Sequence, residues 1–167
     1  GDIDGDGDPD IVVTNFAGEP VTLYRNLGVG IFEDATAESG LTTGTTPYVQ
    51  WGVHLEDLDN DGRLDLPIVS GHLVPRILTS LLARIFRKGG AGPYGRGSHA
   101  YRQPALLYQG ADSGRFEDVT ARSGDLASMR ISGRGSACAD LDGDGRLDLA
   151  ITSVSGGVRV LHNETVG

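Results

Sequence analysis

The chain has 167 residues, a formal net charge of −9, 38% hydrophobic residues and 26 glycines. No apolar run approaches the roughly 18 residues that a membrane-spanning helix requires, so we expect no membrane span in this fragment. Thirteen of the 23 acidic residues fall into three short clusters, and outside them 10 acids face 14 bases. The acidity is therefore local, which argues against a nucleic-acid-binding surface.

The first acidic cluster opens a pattern that recurs twice. Three segments fit D-x-D-x-D-G-x-x-D, and we call them the first, second and third aspartate loops, with positions numbered 1 to 9. They lie at residues 2–10, 57–65 and 140–148. A short, mostly β-branched apolar run follows each loop, which is typical of a strand. Internal repeats of this kind decide the fold class.

The similarity extends beyond the loops. Residues 22–40 align without gaps on residues 106–124, and each segment holds two strand-like runs around a glycine-containing turn, the pattern of a hairpin. Residues 51–56 align on residues 134–139, upstream of the later loops. A full unit therefore reads strand, aspartate loop, strand, strand, turn, strand. Four antiparallel strands in some 50 residues is the size of a propeller blade.

We predict an all-β fold, a partial β-propeller of four-stranded antiparallel blades with one helical insertion. Residues 1–47 are expected to form a blade lacking its first strand, residues 48–131 a blade carrying the insertion at about 73–103, and residues 132–167 a partial blade. Within the insertion, Pro75 begins an apolar stripe at helical spacing and Gly89 supplies a stop. This helix is expected to pack on a propeller face, the alternative being a membrane-surface or partner-binding helix.

The aspartate loops predict calcium sites. Glycine at position 6 permits a sharp turn, so that carboxylates at positions 1, 3, 5 and 9 converge, and calcium takes six to eight oxygen ligands. The backbone carbonyl at position 7 is expected to complete each shell with water, which gives about three Ca²⁺ ions in all. The predicted metal ligands are Asp2, Asp4, Asp6, Asp8, Asp10, Asp57, Asp59, Asp61, Arg63, Asp65, Asp140, Asp142, Asp144, Arg146 and Asp148.

Electrostatics and spacing support a metal over solvated acidic turns. Four carboxylates about 5 Å apart repel one another by roughly 5 kcal/mol even in water, which is large against a domain stability of about 5–15 kcal/mol. An EF-hand requires a bidentate Glu at position 12, whereas Val13, Ile68 and Ile151 stand there. The pattern therefore favours a calcium loop that precedes a strand.

With these loops, the sequence resembles the FG-GAP/VCBS repeat family of integrin-α-like propellers. More narrowly it is similar to the cartilage acidic protein/ASPIC-UnbV group. The motifs behind the narrower resemblance are LYRN at 23–26, FED at 32–34, WGV at 51–53, SGH at 70–72, GRG at 133–135 and LHNE at 161–164. The resemblance implies a ring of about seven blades, of which this chain supplies two nearly complete ones and part of a third, and a C-terminal ASPIC/UnbV domain beyond residue 167.

No catalytic pattern accompanies the loops. The four histidines are scattered and form no zinc motif, and we find no Walker loop, G-x-S-x-G or dinucleotide fingerprint. We therefore expect no enzyme but an extracellular or periplasmic, adhesion-type module that binds a protein or glycan ligand. The alternatives are the propeller part, catalytic or not, of a larger secreted polysaccharide-active enzyme, and a purely architectural spacer.

Three further residues have two interpretations each. His72 is expected to be a structural turn histidine, the alternative being a place on a binding surface. Trp51 is expected to pack near a central channel, the alternative being sugar stacking. Cys138 lies in a small-residue strand pattern, so we expect a core residue and not a reactive thiol.

Overall fold

The computed structural model describes residues 1–73, 101–154 and 156–165. The strands in this part of the chain are β1 (Ile11–Val13), β2 (Thr22–Asn26), β3 (Phe32–Asp34), β4 (Gln50–Val53), β5 (Leu66–Ser70), β6 (Gln103–Pro104), β7 (Leu106–Ala111), β8 (Arg115–Asp118), β9 (Arg130–Ile131), β10 (Gly133–Ala139), β11 (Asp148–Ser153) and β12 (Gly157–Leu161). Two 3-10 turns (Asp112–Gly114 and Thr120–Arg122) and one short helix, α1 (Asp125–Ser128), join them.

The strands pair antiparallel, mostly with the next strand along the chain. They form a three-stranded sheet β1-β2-β3, a four-stranded sheet β4-β5-β7-β8, a second three-stranded sheet β10-β11-β12 and a small pair β6-β9. The prediction of a mostly β chain with antiparallel sheets, one of them four-stranded, is therefore confirmed. The propeller arrangement and the blade boundaries stay predictions. The helix predicted from Pro75 onwards lies outside the described residues.

One register recurs after each aspartate loop. The residue that follows position 9 pairs with the equivalent residue of the next strand in its sheet, and the three pairs are Ile11 with Tyr24, Leu66 with Tyr108 and Leu149 with Leu161. This pairing brings the end of each loop beside the end of the partner strand. The same backbone groups therefore face all three loops.

Two clusters of buried apolar side chains hold the sheets together. The larger spans the first two sheets and includes Leu23, Leu66 and Tyr108, while the smaller joins Val69 to Ile151 of the third sheet. Burial of each such side chain contributes roughly 1.5–3 kcal/mol. The loops themselves lie on the outside of this core, anchored to it at one end.

Pro67 occupies the second position of β5, a central strand of the four-stranded sheet. The proline is tolerated because β4 ends at Val53, opposite Ile68, so that Pro67 lies just beyond the β4 ladder. Its carbonyl still accepts a hydrogen bond from the His54 backbone N–H at 3.4 Å. A missing backbone donor therefore costs little at this place in the sheet.

Candidate metal sites

Each aspartate loop brings its first three carboxylates together. One oxygen of each lies within 4.8 Å of the others, and the groups are Asp2, Asp4 and Asp6; Asp57, Asp59 and Asp61; and Asp140, Asp142 and Asp144. These are positions 1, 3 and 5, as the sequence pattern predicts. Hard divalent cations prefer such clusters of carboxylate oxygens.

Hydrogen bonds within the loops impose this convergence. The backbone N–H at position 6 donates to the position 1 carboxylate in every loop: Gly7 to Asp2 at 3.0 Å, Gly62 to Asp57 at 2.9 Å and Gly145 to Asp140 at 3.0 Å. The position 6 glycines have φ between 87° and 93°, a left-handed conformation that side chains disfavour. At position 4, where the other loops have glycine, Asn60 adopts φ 58°. Asparagine is among the few residues that tolerate this region.

The first loop differs from the other two in the residue at position 7. In the second and third loops the guanidinium groups of Arg63 and Arg146 contact the position 5 carboxylates of Asp61 and Asp144. Asp8 stands at this position in the first loop, which therefore carries a fifth carboxylate. Ligation through the position 7 carbonyls stays a prediction.

Position 9 is a buried anchor in all three loops. Asp10, Asp65 and Asp148 are 5%, 4% and 2% exposed. One oxygen of each accepts the backbone N–H of position 2 of its own loop, and the other accepts a backbone N–H from the end of the partner strand. The latter bonds come from Asn26 at 2.8 Å, Gly110 at 2.9 Å and Asn163 at 2.8 Å.

These bonds hold the loop closed against the sheet. None of the groups formed by positions 1, 3 and 5 includes the position 9 carboxylate, although Asp148 forms a separate group within 4.8 Å with Asp142 and His162. A carboxylate oxygen has room for a second partner beside one hydrogen bond, so ligation by position 9 stays a prediction. Sequence reasoning gave this residue a ligand role only and missed its role as an anchor.

Local environment shifts the pKa values of the loop acids in opposite directions. Hydrogen bonding by the Gly145 backbone N–H holds the pKa of Asp140 below its usual value. The Asn163 backbone N–H does the same for the pKa of Asp148. At Asp65 burial outweighs its two backbone hydrogen bonds, and nearby Asp59 and Asp61 add to the effect, so its pKa rises to about 6. A bound cation would offset this cost.

A side chain that the sequence motif does not include approaches each position 3 carboxylate. Arg25 lies 3.5 Å from Asp4, Gln109 donates a hydrogen bond to Asp59, and His162 lies 3.5 Å from Asp142. Each directly precedes the residue whose backbone N–H binds position 9. We call Arg25, Gln109 and His162 the position 3 neighbours. The aligned repeats already place Arg25 on Gln109, a signal in sequence for these two residues.

The second and third loops contact each other. The Asn163 side-chain amide donates a hydrogen bond of 2.6 Å to the Leu58 carbonyl, and the Asn60 amide donates one of 3.4 Å to the Gly145 carbonyl. The two sites therefore share a polar boundary. Cation binding at one loop is expected to affect the other.

Trp51, His72 and Cys138, which had two interpretations each from sequence, lie in packed or partly buried surroundings. Trp51 donates its indole N–H to the Gly71 carbonyl at 2.7 Å, and the Arg134 guanidinium lies over its ring at 4.8 Å from the centroid. His72 is 5% exposed, and its ring lies edge-on to Phe16. Burial raises the pKa of the Cys138 thiol to about 11.

Comparison with known families supports the repeat interpretation of the first part of the chain. The FG-GAP-like repeat family matches residues 2–66, which contain the first two aspartate loops. No curated protein matches the chain. Within the described residues, no helix is long and apolar enough to cross a membrane.

Proposed function

We propose that this chain is a calcium-binding module of FG-GAP-like repeats, in which each aspartate loop holds one Ca²⁺ ion. The observation that carries the proposal is the threefold recurrence of one arrangement, with three clustered carboxylates, a left-handed glycine and an anchored position 9. The carboxylates of positions 1, 3 and 5 would hold the ion, with position 9 and the position 7 carbonyl as further ligands. Bound calcium would neutralise their mutual repulsion.

Calcium fits this donor set better than magnesium or a soft metal. All donors in the loop motif are oxygens, which excludes ions that select thiolates. Calcium accepts irregular shells of carboxylate and carbonyl oxygens, whereas magnesium requires nearly octahedral geometry and retains its own waters.

The biological role that we propose is recognition and not catalysis. The three sheets would be blades or part-blades of a β-propeller, and calcium would stiffen the connection between two strands of each blade. The surfaces so fixed would bind a protein or glycan ligand outside the cell, in an adhesion-type role as in integrin-α-like propellers. Kinship with the ASPIC/UnbV group is part of this proposal. Extracellular calcium modules bind at about 10⁻⁴–10⁻³ M, which suits secreted or periplasmic conditions.

Thermal unfolding tests the proposal directly. A site at ten to a hundred times its Kd adds roughly 1.4–2.7 kcal/mol, which for a chain of this size raises the Tm by about 3–10 °C per site. We expect a clear rise in Tm with millimolar Ca²⁺, reversal by EDTA and a smaller rise with Mg²⁺. The triple variant D6N/D61N/D144N removes one ligand per loop and is expected to lose most of the rise. An identical melting curve in Ca²⁺ and EDTA for the unmodified chain contradicts the proposal.

A further inference from the structure

The strand register gives each of the three main sheets two distinguishable faces. The front face carries the residue directly after the aspartate loop, which is Ile11, Leu66 or Leu149, and the back face is the opposite one. Side chains alternate along a strand and cross-strand partners share a face, so every strand residue belongs to one of the two. The faces of the three sheets can therefore be compared position by position.

A front face packs on a back face twice within the chain. Leu66, on the front of the four-stranded sheet, belongs to the same buried cluster as Leu23, on the back of the first sheet. Leu149 and Ile151, on the front of the third sheet, share a cluster with Val69, on the back of the four-stranded sheet. The same type of contact therefore joins each sheet to the next.

The front face of the first sheet is exposed where its equivalents are buried. Ile11, Val13 and Tyr24 are 45%, 38% and 39% exposed. Within the part of the chain that the structure describes, this face has the apolar side chains of a packing surface but no sheet that buries them. Their equivalents on the four-stranded sheet are at most 1% exposed, and they are Leu66, Ile68 and Tyr108.

The back face of the third sheet is exposed in the same way. Val158 and Val160 are 65% and 56% exposed. The residues at the same positions after the first loop are Val21 and Leu23, and both are 0% exposed in the larger apolar cluster. The two outer sheets of one chain therefore present both halves of the front-on-back contact, one half on each sheet.

We propose that the exposed front face of the first sheet binds the exposed back face of the third sheet in a second copy of this chain. Such a contact is head-to-tail, because the two copies contribute different surfaces. A second copy fits because it presents the type of face that already covers two front faces within the chain. Exposed apolar patches of this kind mark protein–protein contacts.

Two copies are enough to close the arrangement into a ring. Each copy contributes three main sheets, so two copies joined by two such contacts hold six. That number lies within the roughly four to eight blades of a typical propeller, which three copies would exceed. The closure rests on the proposed propeller arrangement, whereas the contact itself rests on the sheet packing inside the chain.

Sedimentation velocity on the 167-residue chain, in Ca²⁺ and in EDTA, tests the contact. We expect a species of twice the chain mass. V13E places a charge in the front face and V160E places one in the back face, and each is expected to weaken association at least tenfold, because an apolar contact leaves the carboxylate unpaired. V29E is the matched control, since Val29 is 96% exposed in the turn between β2 and β3 and lies on neither face.

A mixture of the two variants tests the head-to-tail geometry. V13E keeps its back face and V160E keeps its front face, so an equimolar mixture is expected to recover one contact and form a dimer. A contact between two front faces would instead leave V160E dimeric. In the unmodified chain, hydroxyl-radical footprinting is expected to find Tyr24 protected in the dimer and reactive after dilution, a readout that does not depend on whether the variants fold.

Three results would overturn the contact between copies. One is a V160E dimer as stable as that of the unmodified chain, and another is a mixture of folded V13E and V160E that stays monomeric. The third is a monomeric unmodified chain at every concentration, and protection of Tyr24 in that monomer would assign the face to another segment of the same chain.

Further outcomes separate this contact from the other proposals. Assemblies longer than two copies support the contact and contradict closure into a ring of six sheets. A monomer whose Tm still rises with Ca²⁺ defeats the contact and leaves the calcium proposal in place. A dimer with the same Tm in Ca²⁺ and EDTA supports the contact and defeats the calcium proposal.

Discussion

The side-chain amide of Asn163 donates a hydrogen bond of 2.6 Å to the backbone carbonyl of Leu58, 105 residues earlier in the chain. The same amide also donates to the Leu147 carbonyl at 3.1 Å, and the Asn163 backbone N–H binds Asp148. One residue thus joins the anchor of the third loop to the second position of the second loop. The two candidate metal sites are connected through it.

Removal of the Asn163 amide is expected to lower the stability of the fold and to weaken the connection between the second and third metal sites. N163A leaves two carbonyl groups without their donor, which costs about 1–2 kcal/mol of unfolding free energy. It is also expected to lower the Ca²⁺ affinity of the second loop, although Asn163 is not part of that loop. Urea unfolding and Ca²⁺ titration measure the two effects.

Asn26 provides the matched control for Asn163. It holds the equivalent place after the first loop, but its amide donates locally, to the Pro9 carbonyl at 3.0 Å. N26A is therefore expected to affect the first loop alone. Equal Ca²⁺ affinities at the second loop in N163A and N26A would show that Asn163 does not connect the second and third metal sites.

In the first loop, replacing a carboxylate by an amide is expected to change the unfolding free energy in opposite directions at buried Asp10 and exposed Asp6 when no calcium is bound. In D10N one side-chain oxygen can still accept, but the new NH₂ group faces a backbone N–H, either of Ile3 or of Asn26. We expect a loss of about 2–4 kcal/mol in unfolding free energy, with EDTA as with Ca²⁺. D6N removes an exposed charge, and its stability in EDTA is expected to stay the same or rise.

Comparison of urea midpoints in EDTA and in Ca²⁺ distinguishes these roles. D6N is expected to lose stability only in Ca²⁺, because its effect passes through the ion. A D10N midpoint equal to that of the unmodified chain in EDTA would show that the position 9 hydrogen bonds add nothing to the fold.

Two glycines are expected to differ sharply when replaced by alanine. At Gly110 a Cβ would overlap the backbone carbonyl of Leu64, so G110A forces the loop and strand apart. At Gly62 a Cβ meets nothing within 4 Å, and the cost is the strain of φ 88°, roughly 1 kcal/mol. We expect G110A to lower the Tm several times more than G62A. Similar Tm values for the two variants would argue against the close approach at Gly110.

Cys138 is expected to react slowly with thiol reagents in the folded chain. Its pKa of about 11 leaves little thiolate at pH 8, and its side chain packs against the cluster that contains Leu149 and Ile151. Iodoacetamide labelling followed by mass spectrometry should show a rate far below that of the chain unfolded in urea. Labelling at the unfolded rate under native conditions would refute this half-buried environment of Cys138.

Much of the candidate site could be predicted from sequence because its information is local. The clustering of Asp57, Asp59 and Asp61 depends on alternate spacing and on one left-handed glycine, all within six residues. The same holds for the strands, since a β-branched run such as residues 11–13 after a tight turn has few other options. Repetition then makes a chance pattern improbable.

Spacing alone gave an incomplete account of position 9. Asp10 satisfies the loop motif as a ligand, yet its carboxylate lies buried and binds the Asn26 backbone N–H, 16 residues away. A backbone donor leaves no trace in sequence, because every residue but proline has one. The anchoring role therefore emerges only when the strand pairing is known.

The sequence by itself determined the three acidic loops, the strands that follow them and the antiparallel, repeated character of the chain, since each depends on residues close together. The tertiary structure decided which side chains reach those loops from elsewhere. Strand register placed Arg25, Gln109 and His162 at one equivalent position, and sheet packing brought Asn163 to Leu58. The electrostatic character of each loop depends on these distant neighbours, because charge acts through space and not along the chain.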